Sequence, residues 1–385
     1  MHARWDIFCT VVDNFGDAGV CWRLARQLAA EHAPDVQHVR LWIDRPEVLA
    51  PLCPALDPAR DAQRVAGVEV RRWETAFPPA IPADVVIETF GCELPAAYLE
   101  AMAAAPVAPV WINLDYLSAE TWVEGCHGLP SPHPRLPLTK HFFFPGFTPR
   151  TGGVLVEHDL AASRREFQSD PQARGAFWRA LDVAPDVNAL KVSLFCYDAA
   201  PVPALLDAWA HGPASVACCV PAGVATRALE DWFRTPLAAG RPLRVKALTL
   251  HPIAFLDQPG YDRLLWACDV NFVRGEDSFV RAQLAGRPFV WNSYPQAGDA
   301  HRVKLEAFLA RYTEGPATTP AAAVQAFMRA WNGVGDVAAA WRAFAAAQTA
   351  LNAHAADWAD RLTAGPGLAA SLVRFAGDRL QSRSF

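Results

Sequence analysis

Four short apolar runs, Ile7–Val12, Val39–Ile43, Val85–Thr89 and Val110–Leu114, recur through the first third of the chain with polar, helically spaced segments between them. Within Val20–Ala30, Cys21, Leu24, Ala25 and Leu28 stand at i, i+3, i+4 and i+7, one face of a helix. A second helix is expected at Pro95–Ala105, proline being tolerated at a first helical position. The apolar runs read as buried parallel strands, and the alternation predicts a doubly wound α/β sheet that gathers ligands at the carboxyl ends of its strands.

The stretch FFFPGFTPRTGG, Phe142 to Gly153, interrupts this pattern with prolines and glycines and is expected to lead into a second domain. There the alternation resumes. Strands are expected at Ala189–Phe195, Ser215–Val220, Leu243–Leu248, Val270–Val273 and Pro288–Trp291. Helices are expected at Ala204–Ala210, Arg227–Arg234, Tyr261–Ala267 and Phe279–Leu284, and past Ala300 the chain reads as helical to its end. The predicted division is 1–150 and 151–365, followed by a terminal helix within 366–385. Two Rossmann-like domains facing each other across a cleft describe the GT-B architecture of nucleotide-sugar glycosyltransferases. A two-domain hydrolase or binding protein has much the same pattern, so fold alone assigns no function.

Length and composition narrow the classes. A chain of 385 residues that is 52% hydrophobic can bury two cores. A formal net charge of −5 argues against non-specific nucleic-acid binding, which needs a basic face. The nine cysteines contain no C-x-x-C pair and lie mostly in apolar stretches, so they read as free buried thiols of a reducing compartment. No run approaches the ~18 apolar residues of a membrane span, and the N-terminus enters a strand without a signal-peptide pattern. A cytoplasmic protein with no membrane partner is expected.

Two places concentrate polar chemistry. In TVVDNFGDAGVCWRL, Thr10 to Leu24, a strand end, a glycine-bearing loop and a helix start are expected, with Asp13 and Asp17 around Gly16 and Gly19. Loops of this shape usually receive phosphate on helix N–H groups, but two carboxylates repel a diphosphate and suit a cation instead. Asp and Asn also favour tight turns and helix caps. In VNFVRGEDSFVRAQLAG, Val270 to Gly286, Arg274, the Ser278 hydroxyl and the first-turn N–H groups can hold a diphosphate, and Glu276 suits ribose hydroxyls. The same acids and serine also cap a helix. Tyr197 follows the strand of SLFCYD; His251, Phe255 and Gln258 are expected between a strand and a helix; Tyr294 follows another strand end. An aromatic face beside the Gln258 amide is a reasonable reader of a pyrimidine edge.

These segments together resemble the bacterial elongation factor P arginine rhamnosyltransferases. The motifs are DNFGDAGVCWRLARQL, WINLDYLSAETWVEG at Trp111–Gly125, FFFPGF, SLFCYD, and FVRGEDSFVRAQLAGRPFVW with YPQ, in the family's order. Ala18 and Leu284 replace larger residues expected of the family and bear on packing rather than chemistry. The resemblance implies a GT-B enzyme that moves L-rhamnose, with inversion, from TDP-β-L-rhamnose to one arginine of elongation factor P. It implies nucleotide on the C-terminal domain and acceptor protein on the N-terminal one. It places the catalytic carboxylate at Asp17, supported by Asp13, and puts Glu276, Asp277 and Ser278 on the ribose and diphosphate. Phe195, Tyr197, Phe255 and Gln258 then lie near the base and sugar. Asn113, Tyr116 and Glu120 are expected to help hold the acceptor arginine, with Trp122 touching the partner protein. The chain contains no D-x-D, so neither metal nor other cofactor is expected. Rival readings are a GT-B transferase or epimerase acting on a small sugar, and a non-catalytic nucleotide-sugar-binding protein.

Overall fold

A computed structural model describes residues 2–74, 77–295, 299–314 and 321–382. The chain divides into two compact units, Met1–His158 with Leu362–Phe385, and Asp159–Arg361.

The first unit is built on an eight-stranded sheet of order β3-β4-β2-β1-β5-β6-β8-β7. Its strands are β1 (Ala3–Cys9), β2 (Val36–Ile43), β3 (Ala62–Val65), β4 (Val68–Arg72), β5 (Val85–Thr89), β6 (Val110–Leu114), β7 (Pro130–Pro132) and β8 (Thr139–Phe143). The central strands pair in parallel, and β3–β4 and β7–β8 are antiparallel. From β1 the chain moves outward through β2 to β4, then returns to β5 on the other side. The carboxyl ends of β1 and β5 therefore flank a topological switch point, where open α/β sheets place ligands. The apolar runs are continuous because both faces are covered: Ile7, Phe8, Val86, Ile87 and Ile112 are buried. The C-terminal helix Leu368–Gln381 belongs to this unit, and its Phe375 ring meets Phe143 edge-on at 5.2 Å.

The second unit carries a six-stranded sheet of order β11-β12-β10-β9-β13-β14. The strands are β9 (Leu190–Leu194), β10 (Val216–Pro221), β11 (Leu243–Val245), β12 (Leu248–Ile253), β13 (Val270–Arg274) and β14 (Phe289–Asn292). Its switch point lies between β9 and β13, which pair in parallel. Helices 300–312, 321–331, 337–346 and 348–364 follow.

Several expected boundaries move. The strand read at Ile7–Val12 ends at Cys9, and the helix read from Val20 begins at Phe15. Gly16, Asp17 and Gly19 are thus helical and the loop is confined to 10–14. The two glycines weaken helix propensity by about 1 kcal/mol each, which disguised the start; the Asp17 carboxylate in the first turn favours it. The single strand read at Leu243–Leu248 is an antiparallel hairpin, β11–β12, turned at Lys246, which takes a left-handed φ of 51°. The β3–β4 and β7–β8 pairs were not anticipated. Phe142 and Phe143, read as part of a linker, close the first sheet in β8 against β6.

Candidate active site

At the first switch point the chain leaves β1 and turns sharply. The Gly16 N–H donates to the Asp13 carbonyl at 2.8 Å. Asn14, between them, has φ 43° and ψ −116°, close to the first central position of a type II′ turn. Asparagine tolerates positive φ better than most side chains. A Cβ at Gly16 would stand 3.0 Å from an Asp13 carboxylate oxygen, so any larger residue there would have to push that side chain aside.

The turn delivers Asp17 beneath its own approach. Val12 and Asp13 both donate their backbone N–H to Asp17 Oδ2 at 2.7 Å. The Tyr116 hydroxyl donates to Oδ1 at 3.2 Å. Asp17 is 1% exposed. Burial pushes its carboxyl above the ordinary carboxylate range, opposed by the Asp13 and Val12 N–H groups, the Tyr116 hydroxyl and the Arg45 charge. A carboxylate has about four lone-pair sites. The two backbone donors fill those of Oδ2 and Tyr116 takes one on Oδ1, so Oδ1 is the oxygen that suits one more donor.

Tyr116 is itself held. It follows the end of β6, and its ring stacks on Phe90 with centroids 4.3 Å apart and planes at 11°. Phe90 follows β5 with a φ of 55°, unusual for an aromatic residue. Sequence reasoning did not single out Phe90; its signal was an aromatic residue before glycine at a buried strand end. Asp44, placed by β2, accepts the Val11 N–H at 3.0 Å, and Arg45 donates to the Val11 carbonyl.

Of the other expected acceptor residues, Asn113 is buried in β6 in register with Glu88 and Phe142. Glu120 is engaged locally: its carboxylate accepts the Ser118 hydroxyl at 3.2 Å, and that hydroxyl in turn accepts the Glu120 N–H. Trp22 and Trp111 are core, whereas Trp122 is 53% exposed.

In the second unit, Arg274 ends β13 and is clasped by two rings. Its guanidinium carbon lies 4.7 Å from the centroids of both Phe195 and Tyr197, just past β9. One terminal nitrogen donates to the Cys196 carbonyl at 3.2 Å. Gly275, at φ 63°, turns the chain so that Glu276 occupies the N-cap position of the helix Asp277–Leu284, without a side-chain bond to its first-turn N–H groups. The Ser278 hydroxyl is turned inward, accepting the Arg274 N–H at 3.1 Å and donating to the Arg274 carbonyl. The hydroxyl expected on a diphosphate is thus engaged here with the backbone of the residue four positions earlier.

Gln258 opens the helix Gln258–Ala267 and donates from Nε2 to Asp277 Oδ2 at 3.3 Å, bringing two of the expected residues together. Phe255 is half-buried in the connection before it. His251, expected in that connection, lies inside β12 in register with Cys219. Tyr294 is 44% exposed and meets Tyr197 edge-on at 5.4 Å. The Tyr197 N–H donates to Asn292 Oδ1 at 2.9 Å, which ties the β9 and β14 loops. Gln296 of the YPQ motif lies outside the described residues. Among the described residues no group of three or more His, Cys, Asp or Glu could hold a metal ion, and no helix is long and apolar enough to cross a membrane. All nine cysteines are free thiols.

A family model described as Elongation-Factor P (EF-P) rhamnosyltransferase EarP matches residues 5–377. The chain belongs to that family. It is 50% identical over 376 residues to a protein-arginine rhamnosyltransferase of Pseudomonas putida, covering 97% of this chain and 99% of the relative. A protein-arginine rhamnosyltransferase of Pseudomonas aeruginosa is 45% identical over 379 residues, covering 98% and 100%. The solved structure described as the structural basis for EarP-mediated arginine glycosylation of translation elongation factor EF-P is 36% identical, with a TM-score of 0.70 over 98% of this chain and 99% of that one. UDP-GlcNAc 2-epimerase from Neisseria meningitidis matches at a TM-score of 0.52 and 9% identity, over 98% and 99%, and shows the fold alone. Two Rossmann-like units and these matches make the fold GT-B.

Proposed function

We propose that this chain is a protein-arginine rhamnosyltransferase that transfers L-rhamnose from TDP-β-L-rhamnose to one arginine of elongation factor P, inverting the anomeric centre and using no metal. The family, the relatives and their full-length coverage support the activity. The observation that carries the chemistry is the buried Asp17 carboxylate, pinned by three donors with Oδ1 able to take a fourth.

A guanidinium has a pKa above ~12, and a neighbouring carboxylate favours the charged form further. Deprotonation before attack is therefore not the route. Asp17 orients one terminal nitrogen and draws on its N–H, sharing or displacing the Tyr116 hydroxyl, the longest of the three bonds. As the nitrogen–C1 bond forms and the bond from C1 to the TDP oxygen breaks, that nitrogen loses its share in the delocalised cation and becomes acidic. Its proton passes to Asp17, and the electron pair leaves with TDP. Asp13 adds a second negative charge at the turn.

The second unit supplies the opposite electrostatics. Arg274, fixed between Phe195 and Tyr197, and the N–H groups of the helix Asp277–Leu284 suit the charge that grows on the departing diphosphate. Glu276 suits ribose hydroxyls, and Gln258 with Phe255 suits the base. Nine free thiols and a translation-factor substrate support a cytoplasmic location.

TDP release followed against time tests the reading. Release is expected only when elongation factor P is present, at an undiminished rate in EDTA; equal release with a small sugar acceptor or strict dependence on added Mg²⁺ contradicts it. Tyr116→Phe offers a finer check. It keeps the ring on Phe90 but removes a hydrogen bond that lowers the Asp17 pKa. The acid limb of the pH–rate profile is expected to move toward neutral pH, because Asp17 then stays protonated to higher pH. An unmoved limb would separate Tyr116 from Asp17 ionisation.

A further inference from the structure

One helical turn below the Gln258–Asp277 contact lies an ion pair that the proposed chemistry leaves unused. Asp262 stands four residues after Gln258 on one helix, and Arg281 four residues after Asp277 on another. Residues at that spacing share a helix face, so the two contacts are successive rungs between the same two helices. Arg281 donates through Nε and a terminal nitrogen to the two Asp262 oxygens, each at 2.9 Å. The side chains are 2% and 9% exposed. In the upper rung Gln258 donates to Asp277 at 3.3 Å.

We infer that the Asp262–Arg281 pair is a positioning device for a nucleoside diphosphate: it sets the register of the two helices and thereby the spacing of Gln258, Asp277 and the first-turn N–H groups. This rests on the reading of the second unit as the donor-binding half of the enzyme. A buried ion pair adds little net stability compared with well-packed apolar residues of similar volume, because both ions lose their hydration. A planar, bidentate Arg–carboxylate pair is, however, highly directional. It fixes both the rotation and the sliding of its two helices more tightly than the longer amide bond above it. The pair touches none of the proposed reacting atoms, so its effect is on donor affinity through Gln258 and Asp277.

Arg281→Ala would strand a buried carboxylate and confuse folding with positioning. The informative protein is therefore Asp262→Leu/Arg281→Met, which keeps apolar volume and removes the directional bond. Arg281→Lys is its companion, keeping the charge without the planar fork. TDP-β-L-rhamnose affinity is measured by titration calorimetry on the full chain, with melting temperature and the KM for elongation factor P alongside. The double variant is expected to melt close to the unaltered protein, to bind donor about tenfold or more weakly, and to keep its KM for elongation factor P. Arg281→Lys is expected to show a smaller loss of the same kind. Unchanged donor affinity in the folded double variant would overturn the assignment; should that variant not fold, unchanged affinity in Arg281→Lys overturns it. Failure of the unaltered protein to bind TDP-β-L-rhamnose overturns the donor-site reading and this inference with it.

Discussion

Asp17→Asn is expected to lower turnover by roughly 10²- to 10⁴-fold, the range of a lost general base, while leaving the fold intact. The substitution is close to isosteric in this setting. The amide oxygen can accept the Val12 and Asp13 N–H groups as Oδ2 does now, and the amide nitrogen can donate to the Tyr116 oxygen. Lost is the ability to take a proton from the acceptor nitrogen. The stability effect has the opposite sign. Burial raises the Asp17 pKa in the folded protein, so its contribution to stability is fully present below the unfolded pKa and is lost as pH rises through the folded value. Above that folded value the ionised carboxylate is a net burden, and there the asparagine variant should melt at an equal or higher temperature. Gain of stability with loss of function marks a site built for chemistry. Steady-state kinetics and a thermal melt on the same preparation check both halves; near-normal turnover would remove Asp17 from the mechanism.

Arg274→Ala should produce the second large effect, on the donor. Arg274 is the cation of the β13 loop, held by two aromatic faces and the Cys196 carbonyl before any ligand arrives. Such an arrangement presents charge without reorganisation. Hydrogen bonds to charged groups contribute about 1.5–3 kcal/mol, so the donor Kd should rise roughly 10- to 100-fold. The KM for elongation factor P should not follow. Arg274→Lys should recover only part of the loss, because an ammonium lacks the flat guanidinium that lies against Phe195 and Tyr197. Donor affinity that survives Arg274→Ala would place the diphosphate elsewhere.

The sequence showed the architecture where burial was uniform. Val85–Thr89 and Val110–Leu114 are strands as read, because strands covered on both faces are mostly apolar, with Glu88, Thr89 and Asn113 as buried polar members toward their carboxyl ends. It misled where tertiary contacts override propensity. The helix beginning at Phe15 contains two glycines in its first turns, and only the closure of Val12 and Asp13 onto Asp17 shows why the chain turns there. The Leu243–Leu248 run hides a two-residue turn that needs a positive φ at Lys246, for which lysine gives no warning. Residue types around the candidate site were legible: Asp17 with Tyr116 and Gln258 with Asp277 come together across 99 and 19 positions of sequence. What spacing cannot reveal is competition for a donor. Ser278 looked like a phosphate ligand and is turned to the backbone of Arg274. Phe90 was invisible because its role depends on a ring brought from another strand end.

Intact-protein mass spectrometry of elongation factor P, after incubation with this chain, TDP-β-L-rhamnose and EDTA and with peptide mapping of any product, decides whether Asp17 drives sugar transfer to arginine. One deoxyhexose per molecule is expected, located on a single arginine, and none when Asp17→Asn replaces the unaltered enzyme. An unmodified elongation factor P in the presence of bound, intact donor, or a sugar on a residue other than arginine, would contradict it.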